Sequence, residues 1–311
     1  MPSGPAAKSD ASRAEEDANE RGSTIKVVAI PNLSLKLSNK AENVLLVRQA
    51  LSGLAEAIEL DAVALNDLST VVTEACNNVV VHAYDGERGP LEVEINASRP
   101  VLEVVVRDCG VGIKPRLRSA DEASMGIGLP VIRALSHRAE FIDRDPGTEV
   151  WMEFAPARAQ TLEEPAQEQE AAFELYPADT HEPDADTMAL RIAPSALARS
   201  VLPRVLAGLA ARAQFSTDRI AETQLLADTL ITRTDGSIGT GRLSVSVGVS
   251  PRMLDLHLGP LQPGQADELL NDELDGRGLG GMLERLADGY RVAPAAMGGS
   301  EVLALQLTAR R

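Results

Sequence analysis

Aromatic residues make up only 3% of this chain, so its cores must be packed from Leu, Val, Ile and Ala within a hydrophobic content of 44%. Cysteine is scarcer still. Cys76 and Cys109 are the two in the sequence, too few for a disulfide framework or a four-thiolate zinc site. Reduced thiols fit a cytoplasmic protein. No apolar run approaches the ~18 residues of a membrane helix, and the opening "MPSGPAAKSDASRAEEDANERGS" lacks the apolar segment of a signal peptide. The expectation is a cytoplasmic protein that neither spans nor enters a membrane. Positive charge is also short: 30 Lys and Arg against 46 Asp and Glu leave a formal charge of −16. Phosphate-rich partners would be repelled, which argues against nucleic acid and anionic membranes while leaving room for a basic protein partner.

The 311 residues suffice for two ordinary domains. Residues 1–23 are small, polar and charged, the composition of a disordered segment. A second stretch of this kind, 156–187, contains "QTLEEPAQEQEAAFELYPADTHEPDAD" and reads as an acidic linker. The expected folded units are therefore 24–155 and 188–311.

In the first unit "TIKVVAIPN" predicts a strand, and "KAENVLLVRQALSGLAEAIEL" has helical apolar spacing. A second helix is expected to start at Asn66 or Asp67 and to run through "TEACNNVVVHAY". "LEVEINA" and "VLEVVVRD" predict a strand pair, "GLPVIRALSHR" a third helix, and "AEFIDRD" with "TEVWMEFA" a closing pair. Helices beside a largely antiparallel sheet make an α/β two-layer sandwich.

The second unit repeats this order. An offset of 152 residues sets Leu91 on Leu243, Gly126 on Gly278, Gly128 on Gly280 and Gly147 on Gly299, and upstream an offset of 150 sets Gly86 on Gly236. The expectation is a tandem duplication, two tandem two-layer α/β sandwich domains.

Four segments of the first unit carry chemistry. Glu74 and Asn78, four apart on a helix, share a face; a carboxylate can take a proton, and an amide oxygen is a hard ligand suited to Mg²⁺. In "RDCGVG" Asp108 ends an apolar strand as a hydrogen-bond acceptor, and Gly110 and Gly112 let the backbone approach a flat ligand. In "SMGIGLPVIRAL" Gly126 and Gly128 precede a helix whose free N–H groups attract phosphate. The polar "IKPRLRSADEAS" before it is long enough for a lid. Thr148 begins the closing strand, where its hydroxyl could reach a base. Taken singly, each segment also fits an ordinary turn, cap or surface pair.

In this order and on these elements, the four segments resemble the GHKL (Bergerat) ATP-binding domain. "TEACNNVVVHAY", "VVVRDCGVGI" and "GIGLPVIRAL" look most like the bacterial anti-sigma factor serine/threonine kinases of partner-switching pathways. The resemblance implies ATP and Mg²⁺ as cofactors and a kinase confined to the N-terminal domain. Glu74 would be the general base toward a serine hydroxyl, and Asn78 the Mg²⁺ ligand. Asp108 would read adenine, Gly110 and Gly112 shape its pocket, Gly126 and Gly128 line the phosphates, and Thr148 support the base end. It implies a STAS-type anti-anti-sigma protein as substrate and a sigma factor as the other partner. Such kinases tend to dimerise, so the two units are candidates for an intramolecular pseudo-dimer. The alternative class is a catalytically silent, nucleotide-responsive binding scaffold.

In the second unit Glu74 falls on Gln224, Asn78 on Asp228 and Asp108 on Pro260. Glutamine cannot act as a base, because its amide takes no proton near neutrality. A degenerate copy that keeps the fold is expected; the rival is a shifted site using Glu222 or Asp228.

Overall fold

A computed structural model describes residues 30–112, 128–165, 186–234, 238, 241–271, 279–295 and 299–310. The first described element is strand β1 (Leu33–Ser38), whose alternating Leu33, Leu35 and Leu37 are buried. This is not the run expected to form the first strand: within "TIKVVAIPN", residues 24–29 lie outside the described residues, and β1 follows it. Helices α1 (Ala41–Ala57) and α2 (Ala62–Asn78) come next. Helix α2 starts earlier than Asn66, because Asp61 Oδ1 accepts from the Val63 and Ala64 amides at 3.0 and 2.9 Å and so caps it. A π-helical turn over Val79–Ala83 continues α2. Strands β2 (Pro90–Asn96) and β3 (Leu102–Asp108), helix α3 (Gly128–Leu135), and strands β4 (Arg138–Asp143) and β5 (Thr148–Phe154) complete the first half.

The second half repeats this order with β6 (Asp186–Ile192), α4 (Ala198–Arg212), α5 (Thr217–Thr234), β7 (Leu243–Ser250) and β8 (Met253–Leu261). After them come α6 (Gln265–Asn271), α7 (Leu279–Leu286), β9 (Gly289–Pro294) and β10 (Glu301–Thr308). No helix among the described residues is long and apolar enough to cross a membrane.

The ten strands among the described residues form one sheet in the order β4-β5-β3-β2-β1-β6-β7-β8-β10-β9. Every neighbouring pair is antiparallel. Inward side chains of both halves, with the apolar faces of the helices, belong to one continuous core. The seam between the halves is the β1–β6 ladder, with Leu35 opposite Leu190. An offset of 155 residues carries Leu35 onto Leu190, Leu46 onto Val201 and Gly53 onto Gly208. The helix contacts obey the same relation. A Cβ on Gly53 would stand 2.7 Å from Val201 Cα, and one on Gly208 would stand 3.0 Å from Leu46 Cδ2. Gly53 and Gly208 thus each mark a close approach between α1 and α4.

A polar knot closes one end of the seam. The Asp186 carboxylate accepts from Ser38 Oγ at 2.6 Å, pairs with Lys40 at 3.3 Å, and also pairs with Arg212. Arg212 in turn donates to Asn43 Oδ1 at 2.6 Å. Burial raises the Asp186 carboxyl, but these donors and cations outweigh it and hold it below the usual carboxylate range. The chain after β5 stays with the first half: Gln160 N–H donates to the Ile58 carbonyl, Leu162 N–H to that of Ala97, and Asn32 Nδ2 to that of Glu163. The remainder of the acidic stretch up to β6, the N-terminal 29 residues and the "IKPRLRSADEAS" lid segment lie outside the described residues.

Candidate functional site

Helix α2 ends by presenting Glu74 and Asn78 on one face, both half-buried. Facing them is the first residue of α3. A Cβ built on Gly128 would lie 3.1 Å from Glu74 Oε2 and 3.6 Å from Asn78 Oδ1. Any side chain here would fill the space beside the carboxylate and the amide. Gly128, where the described part of α3 starts, therefore sits directly against this pair.

Asp108 continues the inward row Leu102, Val104, Val106 to the last position of β3 and is buried there. It pairs in register with Leu91 of β2 and Thr148 of β5. Its Oδ1 accepts from Gly110 N–H at 2.9 Å, and the Thr148 amide also donates to the carboxylate. Burial pushes its pKa up, and these two amides only partly offset the rise. For Thr148 the backbone amide makes this contact.

The glycines keep the loops close. A Cβ on Gly110 would lie 2.0 Å from the Ala83 carbonyl oxygen at the end of the π turn. Gly112 has φ +73, and a Cβ there would approach Asp143 Oδ1 to 2.9 Å. Gly147, at φ +102, presses its backbone on Asp108, where a Cβ would stand 2.0 Å from the carbonyl oxygen. Glu74, Asn78 and Gly128 are thus brought together at one end, and Asp108, Gly110, Gly112 and Thr148 at the other. Gly126 lies outside the described residues.

Two residues escaped the sequence reading. Gly147 appeared there only as a repeat marker, although its place before Thr148 in "PGTEV" signals a tight turn. Tyr84 closes the "NNVVVHAY" run. Its Oη accepts from Cys109 N–H at 2.8 Å and donates to the Pro90 carbonyl at 2.5 Å. Burial, with the nearby Asp108 charge, pushes the phenol up to about 12, so it stays protonated and able to donate. Cys76 is buried and Cys109 is exposed.

The donor set suits Mg²⁺ only with ligands brought by another molecule. Asn78 supplies an amide oxygen, and no group of three or more His, Cys, Asp or Glu side chains able to hold a metal occurs among the described residues.

The second half has a different surface at the corresponding place. Gln224 and Asp228 are exposed on α5, and Glu222 pairs with the buried Arg219 at 2.7 Å. Gly280 faces the end of α6: a Cβ there would stand 2.4 Å from the Leu270 carbonyl oxygen. Glu301 accepts from the Gly264 and Ala266 amides at 2.9 and 3.0 Å, fixing the start of α6. Pro260 pairs no side-chain acceptor with this end of the sheet, since it replaces the carboxylate of Asp108.

Residues 37–154 match the histidine kinase-like ATPase domain family. The chain is 30% identical over 79 residues to the serine-protein kinase RsbW of Bacillus mycoides (strain KBAB4), covering 25% of this chain and 49% of the relative. The same protein of Bacillus pumilus (strain SAFR-032) is 37% identical over 81 residues, 25% of this chain and 50% of the relative. The chain spans about half the length of the curated relatives it matches. Residues 37–154 thus resemble a GHKL-like ATPase domain, and part of the chain is similar to serine-protein kinases.

Proposed function

We propose that the first half binds ATP and Mg²⁺ and transfers phosphate to a serine of a protein partner. The observation that carries this reading is the approach of Gly128 to Glu74 and Asn78, which puts a helix N-terminus, a base and a hard oxygen ligand at one point. Asp108 reads the adenine amino group through the oxygen capacity left beyond its two backbone donors. Gly110 and Gly112 bring the backbone against the base, Thr148 supports that end, and Gly126 and Gly128 line the phosphates. Asn78 would hold Mg²⁺, which neutralises phosphate charge when bound. Glu74 accepts the proton of the incoming serine hydroxyl.

By similarity to the RsbW kinases, the substrate is a STAS-type anti-anti-sigma protein, and a sigma factor is the partner held in alternation. The second half is a degenerate tandem copy that supplies the dimer mate from within the chain, in the cytoplasm. Labelled ATP, Mg²⁺ and a STAS candidate provide the test: label should appear on the partner's serine with wild type and vanish with Glu74→Ala, while nucleotide binding persists. Undiminished transfer by that variant would remove Glu74 from its role.

The altered groups of the second half favour one other reading, a scaffold that binds partners in response to nucleotide without phosphorylating them. It predicts ATP-dependent partner binding with no label transferred.

A further inference from the structure

Three consecutive amides follow Asp108, and each is held. Cys109 N–H donates to Tyr84 Oη at 2.8 Å, Gly110 N–H to Asp108 Oδ1 at 2.9 Å, and Val111 N–H to the Ala83 carbonyl at 2.9 Å. Two of the three partners, Ala83 and Tyr84, are neighbours where the π turn ends. That turn continues the helix bearing Glu74 and Asn78, so one continuous element fixes both ends of the cleft. π-Turns inside helices occur often at functional sites, because they shift the residues after them off the regular helical path.

Tyr84 is itself tightly placed. Its hydroxyl donates to the Pro90 carbonyl at 2.5 Å, so one group both accepts and donates. Its ring packs on Gly89, where a Cβ would lie 2.0 Å from ring atom Cε1. Gly89 is clasped by Asn39: its N–H donates to Asn39 Oδ1 at 3.0 Å, and its carbonyl accepts from Asn39 N–H at 2.9 Å. Phenylalanine would keep the ring and lose both hydroxyl contacts.

We propose that Tyr84 is a positioning residue for base recognition: it holds the Cys109–Val111 turn so that Asp108 and the glycine backbone meet adenine and discriminate against guanine. The proposal rests on the ATP-binding reading above. Tyr84 touches no reacting atom in this scheme; it acts through the turn.

The test compares full-length wild type, Tyr84→Phe and Gly89→Ala by calorimetric titration with Mg-ATP and Mg-GTP, with melting temperature and amide exchange at Cys109 measured alongside. Wild type should prefer ATP. Tyr84→Phe should weaken ATP about five- to tenfold, the scale of one lost hydrogen bond, and weaken GTP less, narrowing the ratio. Cys109 exchange should accelerate. Gly89→Ala keeps the hydroxyl but displaces the ring, and should narrow the same ratio; it carries the test if Tyr84→Phe does not fold. An unchanged ATP-to-GTP ratio, or an equal loss for both nucleotides, overturns the proposal. So does Cys109 exchange that stays at the wild-type rate in folded Tyr84→Phe, a readout needing no nucleotide. Wild type that binds no ATP would instead refute the reading beneath it.

Discussion

Gly128 and Glu74 stand so close that a methyl group on the first would lie 3.1 Å from Oε2 of the second. The two residues are far apart in sequence and on different helices, and their approach brings two of the short motifs together. The neighbour a methyl would meet is the end of a flexible side chain, so the fold can yield while the carboxylate shifts. Gly128→Ala should therefore lower phosphate transfer about tenfold or more, as small misplacements of catalytic groups do, and leave the melting temperature near wild type. Gly147→Ala is the contrast. Its methyl would meet the Asp108 backbone oxygen at 2.0 Å from a backbone at φ +102. Destabilisation of about 1–3 kcal/mol in urea unfolding is expected together with lost nucleotide binding.

Much of this was legible in the sequence, and the failures have physical causes. The inward alternation of Leu102, Val104, Val106 and Asp108 is a local pattern, and the structure keeps it. The sequence favours "TIKVVAIPN" as a strand because it is the more apolar run, and its residues 24–29 lie outside the described residues. "LSLKLS" earns its place through two partners distant in sequence, β2 on one side and β6 on the other. The start of α2 was set late because Asp61 announces itself only through its hydrogen bonds to Val63 and Ala64. Nothing in "VVVHA" signals a π turn, since its register depends on the Gly110 loop packed against Ala83.

Asp108 lies buried with its pKa raised, so its ionised form is disfavoured in the folded protein. The sign follows from linkage: the fold gains stability as pH falls and Asp108 takes up a proton, while adenine recognition needs the ionised form. Nucleotide affinity should thus decline on acidification at a higher pH than an ordinary aspartate would dictate. Asp108→Asn should melt at or above the wild-type temperature at pH 7 and lose ATP affinity at least about tenfold, because one amide oxygen cannot serve Gly110, Thr148 and a base together. A lower melting temperature with intact affinity would contradict both halves of the argument.

The seam between the halves offers a different pair of outcomes. A methyl on Gly53 would stand 2.4 Å from the Ser200 carbonyl oxygen, whereas its counterpart on Gly208 would meet only the Leu46 side chain at 3.0 Å. Backbone cannot give way as a leucine methyl can, so Gly53→Ala should cost about 1–3 kcal/mol and Gly208→Ala less than about 1. With one sheet and one core, urea should unfold wild type in a single transition.

Asp186 makes the same seam sensitive to acid. Its carboxyl is held below its unfolded value, so its stabilisation is complete above the ordinary aspartate range and is lost as pH falls through the folded value. Asp186→Asn should lower the melting temperature at pH 7, and the gap from wild type should narrow as the pH falls below the ordinary aspartate value. A gap that stays constant with pH would mean that the knot of Ser38, Lys40 and Arg212 acts through shape alone.

Stoichiometry follows from the unequal halves. In the first, the space beside Gly128 opens on Glu74 and Asn78; in the second, the Leu270 carbonyl stands over Gly280 at the end of α6. Glu301 holds the other end of α6 by two backbone amides, and Pro260 takes the place of an adenine acceptor. A nucleotide in the second half would have to displace α6 without gaining a partner for its base. Titration of the full chain should therefore give one ATP per chain. Light scattering should give the mass of a single chain, because β1 and β6 already consume each other's edges and, among the described residues, leave β4 and β9 at the borders of the sheet. Two ATP molecules per chain, with Asp108→Asn abolishing only one, would show that α6 moves aside and that the second half retains a working cleft.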